Sequence, residues 1–214
     1  MTQSNPPSTL NIANISQKTQ NLGPGERAVV WVKGCPHRCP FCIAPEWQSF
    51  EPGRIVSVDD LLNQLLAHPE ITGLTFSGGE PMAQAAGLAV LACNARQRRE
   101  LDIICFTGYR YEQLIKSPQN SGVADLLNQV DVLIDGPYIH ALNDGVGLRG
   151  SNNQRIIHLT PRLQHHQLER SPRKVTIEIN AGEVNMTGIP PRALGTFFQQ
   201  AFNLPSVLLS EAIK

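Results

Sequence analysis

Apolar residues fall in short blocks along this chain, and the spacing inside the blocks alternates between two periods. Ala28-Val29-Val30-Trp31-Val32 is a continuous apolar run, bounded before by the turn Gly23-Pro24-Gly25-Glu26-Arg27 and after by Gly34. A run of that length between such punctuation reads as a buried strand. Ile71–Phe76, Asp102–Phe106 and Val130–Ile134 have the same character. Each ends in small or polar residues: Ser77-Gly78-Gly79-Glu80-Pro81, Thr107-Gly108 and Asp135-Gly136-Pro137 respectively. Between these runs the pattern is helical. Ser57 with Asp60 three residues on is a capping-box-like start, and Leu61, Leu62, Leu65 and Leu66 then give one apolar face. A long Ala/Leu-rich helix is predicted from about Met82 to Arg99, with shorter helical pieces at Tyr111–Lys116 and Val123–Gln129.

The flanks are less regular. Met1 to about Lys18 is rich in Ser, Asn, Gln and Pro, so residues 1–20 are predicted to be a loosely ordered extension, adding an edge strand through Leu10 to Ile15. Arg155–Leu159 and Lys174–Ile179 predict two further strands. Pro190-Pro191 opens a helix to about Phe202, proline being tolerated in a first helical turn. Residues 21–214 are then one domain. Strands alternating with helices make an α/β fold with a parallel sheet. About six parallel strands are too few for the closed eight-stranded barrel, which takes roughly 250 residues. The expected architecture is an open, partial β/α barrel.

Composition narrows the function classes. Lys plus Arg equals Asp plus Glu at 18 each, so no net field draws nucleic acid or an anionic membrane. No apolar run approaches the roughly 20 residues of a membrane helix, and the polar first 20 residues lack the apolar core of a signal peptide. A reducing, cytoplasmic location is the expectation. Five cysteines, an odd number, fit it.

Three of those cysteines, Cys35, Cys39 and Cys42, lie in Gly34-Cys35-Pro36-His37-Arg38-Cys39-Pro40-Phe41-Cys42 with the spacing C-x3-C-x2-C. Thiolates this close can reach one metal centre from a single loop, and a cubane iron–sulfur cluster takes four. With three, one iron would lack a protein ligand and stay open to a substrate. The alternative is a zinc knuckle with His37 or a distant cysteine as fourth ligand, although zinc ligands more often come as two spaced pairs. In a β/α fold the loops after the strand C-termini share one face. The cysteine loop, the Gly78-Gly79 turn, Thr107-Gly108 and Asp135-Gly136 therefore face a single pocket. Gly78-Gly79 allows positive φ and close backbone approach to a ligand, and freed carbonyls with Glu80 nearby form a seat for an ammonium group. The plainer reading is a tight turn with Glu80 at a helix N-terminus, where a carboxylate suits the dipole.

Together these residues resemble the radical S-adenosylmethionine (SAM) enzymes, whose signature is C-x3-C-x-aromatic-C followed by a GGEP-type turn. Here the matching residues are Cys35, Cys39, Phe41 and Cys42, then Gly78-Gly79-Glu80-Pro81. The resemblance implies a [4Fe-4S] cluster on the three cysteines and SAM chelating the open iron. It also implies Phe41 beside the adenine, the Gly78-to-Pro81 turn on the methionine ammonium, and Thr107 and Asp135 as further cofactor-binding positions. A closer likeness is to the glycyl-radical-enzyme activating proteins, in particular the activators of anaerobic ribonucleotide reductase. It rests on Gly23-Pro24-Gly25-Glu26-Arg27, Pro45-Glu46-Trp47, Asp135-Gly136-Pro137-Tyr138 and Leu148–Arg155, and covers roughly Leu22 to Leu159. Ala44 stands where that group has Asn, and the chain continues about fifty residues past the last likeness. The implied partners are a glycyl radical enzyme, whose backbone glycine gives up hydrogen, and an electron donor such as flavodoxin or ferredoxin.

Two other readings stay open: a radical SAM enzyme acting on a small molecule, as the 7-carboxy-7-deazaguanine synthases do, and a non-enzymatic metal module. Cys93 and Cys105 read as small hydrophobes, and His158, His165 and His166 as surface or structural residues. Arg149, Asn153 and Arg155 are candidates to orient the SAM carboxylate or a partner loop, with turn-stabilising roles as the alternative.

Overall fold

The computed structural model describes residues 8–118, 121–180, 183–191 and 194. Its elements in order are strands β1 (Thr9–Thr19), β2 (Arg27–Val32) and β3 (Arg54–Ser57), helix α1 (Val58–Leu65), β4 (Gly73–Gly78), α2 (Ala85–Arg98) and β5 (Asp102–Thr107). Then come α3 (Tyr111–Leu114), α4 (Val123–Leu127), β6 (Val132–Asp135), β7 (Arg155–His158), β8 (Val175–Asn180) and β9 (Glu183–Gly188). Seven strands make one mixed sheet in the order β3-β1-β2-β4-β5-β6-β7, and β8-β9 form a separate two-stranded sheet.

The α/β class stands. The centre of the sheet is β2, β4, β5 and β6, paired parallel in that order. Their apolar runs are buried on both faces, as a parallel centre requires; Val30, Leu74, Phe76, Ile103, Ile104 and Leu133 are wholly inside. Four strands run parallel, however, rather than about six. β1 returns antiparallel on β2, β3 on β1, and β7 on β6. Between β6 and β7 the chain has only a short 3-10 turn, and a parallel return needs a crossover element. The expected sixth strand forms as β8, but it pairs with β9 outside the main sheet.

The polar N-terminal stretch is a second correction. Thr9–Thr19 is an eleven-residue strand inside the sheet between β3 and β2, not an edge. Leu10 and Ile12 alternate with Thr9, Asn11 and Ala13 and are both about 2% exposed, which is enough to fix one face of the strand. The helical expectations at α1 hold in detail. Ser57 Oγ accepts from Asp60 N at 3.0 Å, and Leu61, Leu62 and Leu65 pack into the main core. The long Ala/Leu helix starts later than expected, because Pro81–Gln84 forms a 3-10 turn before α2. The helix expected from Pro190 to about Phe202 runs outside the described residues. No helix among the described residues is long and apolar enough to cross a membrane.

Candidate active site

The C-terminal ends of β2, β4, β5 and β6 open onto one cleft of ≈ 240 Å³. Cys35, Cys39 and Cys42 line it, with Ser77, Gly78, Gly79, Glu80 and Pro81 from the turn after β4, Thr107 and Gly108 after β5, and Gly136 after β6. The four strand ends thus converge as the sequence implied.

How the glycines serve the cleft differs from the expectation. Gly78 has φ +105°, and a Cβ there would lie 2.5 Å from the Val32 carbonyl oxygen; one on Gly79 would lie 2.4 Å from that of Gly34. The close approach is therefore to the backbone at the end of β2. Gly79 N donates to Val32 O at 2.7 Å and Glu80 N to Gly34 O at 2.8 Å. Gly34 N and Cys35 N donate in turn to Trp47 O and Gln48 O. Glycine is needed here so that the turn and the start of the cysteine loop can lie backbone to backbone.

Glu80 is also more engaged than expected. It is 1% exposed. Its Oε1 accepts from Met82 N at 2.9 Å and from Thr107 Oγ at 2.8 Å, and its Oε2 accepts from Gly108 N at 2.8 Å and lies 3.1 Å from His37 Nε2. A buried carboxylate is tolerable when hydrogen-bonded this fully. With both oxygens occupied, Glu80 is a clasp joining the β4 turn, the β5 end and the cysteine loop, not an open seat for an ammonium. Thr107 takes part in the same clasp. His37, offered by sequence only as a zinc ligand, pins the loop: its ring lies against Gly108 and meets Tyr109 edge-on at 4.4 Å.

Asp135 does not line the cleft. It is wholly buried, accepts from Tyr111 N at 2.7 Å and Arg155 Nε at 2.9 Å, and has Arg110 at 3.5 Å. Burial pushes its pKa up, but Arg155, the Tyr111 amide and Arg110 together hold it below the usual range. Arg155 also reaches Glu112, while Arg149 is held by Asp144 at 2.9 Å and Asn153 Nδ2 donates to Pro137 O at 2.9 Å. These three residues brace the segment around Gln154. Gln154 Nε2 donates to Gly136 O at 2.8 Å, and its Oε1 accepts from Gly150 N at 2.8 Å. Sequence reasoning missed Gln154, Tyr138 and Arg173 as cleft residues; only the Gly150–Gln154 spacing hinted at a turn. Phe41 is 74% exposed, has φ +59°, and rests against His140 with ring centroids 4.8 Å apart. It stands on the rim, not in the cleft.

The three thiols are the donor type that an iron–sulfur cluster takes, although among the described residues no three His, Cys, Asp or Glu side chains stand grouped to hold a single metal ion. All three loop cysteines are free thiols and share one cleft. Burial pushes the Cys35 and Cys39 thiols up, so a metal displaces protons as it binds. His37, committed to Glu80, is not placed as a zinc ligand. Cys105 is buried in β5 with its pKa driven well up by desolvation, and Cys93 lies on α2. Neither lines the cleft.

Fold and site together define an iron–sulfur protein with a single cluster loop at the mouth of a parallel sheet. The family described as "4Fe-4S single cluster domain" matches residues 21–157. The anaerobic ribonucleoside-triphosphate reductase-activating protein of Salmonella typhi is 33% identical over 147 residues, 64% of this chain and 91% of its own length. Its namesake in Vibrio cholerae is 36% identical over 145 residues, 64% of this chain and 89% of its own length. A pyruvate formate-lyase-activating enzyme from Staphylococcus aureus is 36% identical over 81 residues, 35% of this chain and 32% of its own length. The chain belongs to the radical SAM glycyl-radical-enzyme activating proteins, with a [4Fe-4S] cluster and SAM as cofactors.

Proposed function

We propose that this protein is an activase that installs a glycine-centred radical on an anaerobic ribonucleotide reductase-type partner. One observation carries the reading: three thiols and a Gly78-Gly79 turn share one cleft at the ends of the parallel strands, in a chain matching activating proteins over nine-tenths of their length. A [4Fe-4S] cluster held by Cys35, Cys39 and Cys42 would supply the one electron that splits a bound SAM into methionine and a 5′-deoxyadenosyl radical.

The chain's own residues hold and shield. Cys35, Cys39 and Cys42 hold the cluster. The backbone of Ser77, Gly78 and Gly79 seats the SAM ammonium, and Pro81 closes that side of the cleft. Glu80, Thr107 and His37 fix the distance between loop and turn. Asp135, through Arg155 and the Tyr111 amide, sets the β6 end. Phe41, on the rim against His140, would flank the adenine of a bound SAM. The four parallel strands are the open centre of a partial β/α barrel, in one domain that takes in β1 as well as the residues from 21 onward. A flavodoxin or ferredoxin in the cytoplasm supplies the electron. Water must be kept from so reactive a radical, and the apolar side chains of Leu22, Trp31, Ile43 and Phe106 line the cleft for that purpose.

The test is anaerobic reconstitution with iron, sulfide and SAM, then a strong reductant, with and without a candidate glycyl radical enzyme. The expected result is 5′-deoxyadenosine and a glycine-centred paramagnetic signal on the partner. Colourless, zinc-bearing protein that leaves SAM intact would refute the enzyme reading. SAM cleavage with no signal on any partner would favour a small-molecule substrate.

A further inference from the structure

The family match ends at Ile157, yet the chain beyond it comes back to the cysteine cleft. Leu163 and Leu168 join Ile104, Val132 and Ile134 in a second core cluster. Leu148 N donates to Leu168 O at 2.8 Å and Gly147 N to Ser171 O at 3.0 Å, so this segment is laced to the loop before β7. Arg173, Ile189 and Pro190 then line the same cleft as the three thiols.

Arg173 is the clamp. Its side chain is fully buried. Nη1 donates to Asn143 Oδ1 at 2.7 Å and reaches Pro190 O at 3.4 Å; Nη2 donates to Arg149 O at 2.6 Å and Gly150 O at 3.2 Å. Asp144 lies 3.5 Å away. A buried guanidinium persists only when its donors are met, and here they are met largely by carbonyls of the loop that carries the cleft residues Asn143 and Gly150. Ile189 packs beside Leu22 and Trp31. Arg173 and Ile189 also border a second cavity of ≈ 250 Å³, so the wall has open space on either side at this point.

We infer that residues 161–180 and 183–190 form a specificity element, in which Arg173 as a positioning residue and Ile189 as a wall narrow the cofactor cleft so that an extended, side-chain-free peptide segment reaches bound SAM. This rests on the activase reading and names what selects its target. The relatives match this chain over only 64% of its length while giving nearly all of their own. The wall lies beyond the residues that the family model matches.

The experiment measures glycyl radical formed per 5′-deoxyadenosine released, using full-length reconstituted protein with its partner. Arg173→Ala is expected to lower that ratio about tenfold or more, since small misplacements cost this much; because the ratio is taken per 5′-deoxyadenosine, it separates the aim of the radical from any change in total cleavage. Arg173→Lys should restore it only in part, because an ammonium lacks the planar fork. Ile189→Ala should lower it less. In metal-free protein, hydrogen exchange of the residue 143–150 amides should rise in Arg173→Ala and not in Ile189→Ala. Wild-type ratios in both Arg173→Ala and Ile189→Ala would overturn the inference while leaving the activase reading intact. Should Arg173→Ala not fold, Arg173→Lys and Ile189→Ala decide by the same ratio. Wild-type protein that released no 5′-deoxyadenosine would overturn the activase reading and this inference with it.

Discussion

The two ends of the four parallel strands handle buried charge in different ways. At the N-terminal ends, acids meet cations. Arg27, wholly buried, donates to Thr75 Oγ at 2.8 Å and Leu74 O at 2.5 Å and pairs with Asp102. Asp131, also wholly buried, takes Arg96 at 2.5 Å, Ile103 N at 2.8 Å and Thr160 Oγ at 2.5 Å. At the C-terminal ends, Glu80 is met by two amides, a hydroxyl and an imidazole. That arrangement fixes two loops to each other and leaves the thiols of Cys35, Cys39 and Cys42 on the cleft wall. One end closes its polar groups on each other for stability; the other satisfies its scaffold and leaves its chemistry unpartnered.

The sharpest way to break the contrast is to change one group at each end. Cys39→Ala leaves two thiols in the loop, so cluster content and SAM cleavage should fall to background. The unfolding free energy of the metal-free protein, read from urea titration, should change by less than about 0.5 kcal/mol, as for a half-exposed side chain. Cys93→Ala and Cys105→Ala should keep the cluster; loss of it in Cys105→Ala would mean that the ligand set is incomplete. Arg27→Met should do the opposite. It strands Asp102 and the Leu74 carbonyl at a cost of about 3–5 kcal/mol, read by urea unfolding, while any protein that still folds should load its cluster. Equal damage to cluster and fold in both variants would erase the distinction.

The contrast also explains what could be read from the chain. The apolar runs of β2, β4, β5 and β6 are buried on both faces, so composition alone marked them; Ser57 marked the start of α1, and the Ala/Leu stretch marked α2 though not its first turn. The cysteine spacing and Gly78-Gly79 were legible because few other residues meet those demands. β1 was misread as an edge because its inward signal rests on Leu10 and Ile12 amid polar neighbours. β3 was missed altogether: Ile55 is 56% exposed and only Val56 is buried, so four residues carried no pattern. The partners of Glu80 and Asp135 were illegible for a different reason. Apart from Met82 N, each is chosen by tertiary contact across 20 to 43 residues, and nothing local distinguishes a clasp from a ligand.

Glu80→Gln sharpens the comparison at a smaller scale, because it keeps the shape of the clasp and alters one hydrogen bond. If the amide oxygen accepts from Met82 N and Thr107, the amide nitrogen must face the Gly108 N–H, donor against donor. The expected cost is about 1–3 kcal/mol, measured by urea unfolding, with faster loss of the reconstituted cluster to a chelator because the loop is less firmly pinned. Unchanged stability would mean that the carboxylate is not the link between loop and turn.

The smallest effect tests the residue that cuts across the contrast. Asp135 sits at the cleft end but is paired as the far end pairs its acids, and Arg155 shares itself between Asp135 and the exposed Glu112. Its hydrogen bond to Arg155 lowers the Glu112 pKa from 4.5 to about 2. A carboxylate with a depressed pKa in the folded state adds stability above its unfolded value, and that stability disappears as pH falls through the folded value. Glu112→Gln should therefore lower the melting temperature slightly at neutral pH. The gap from wild type should close between pH 4.5 and about 2 and shrink with added salt, since exposed pairs are screened. Superimposed melting curves across that window would show that Arg155 serves Asp135 alone.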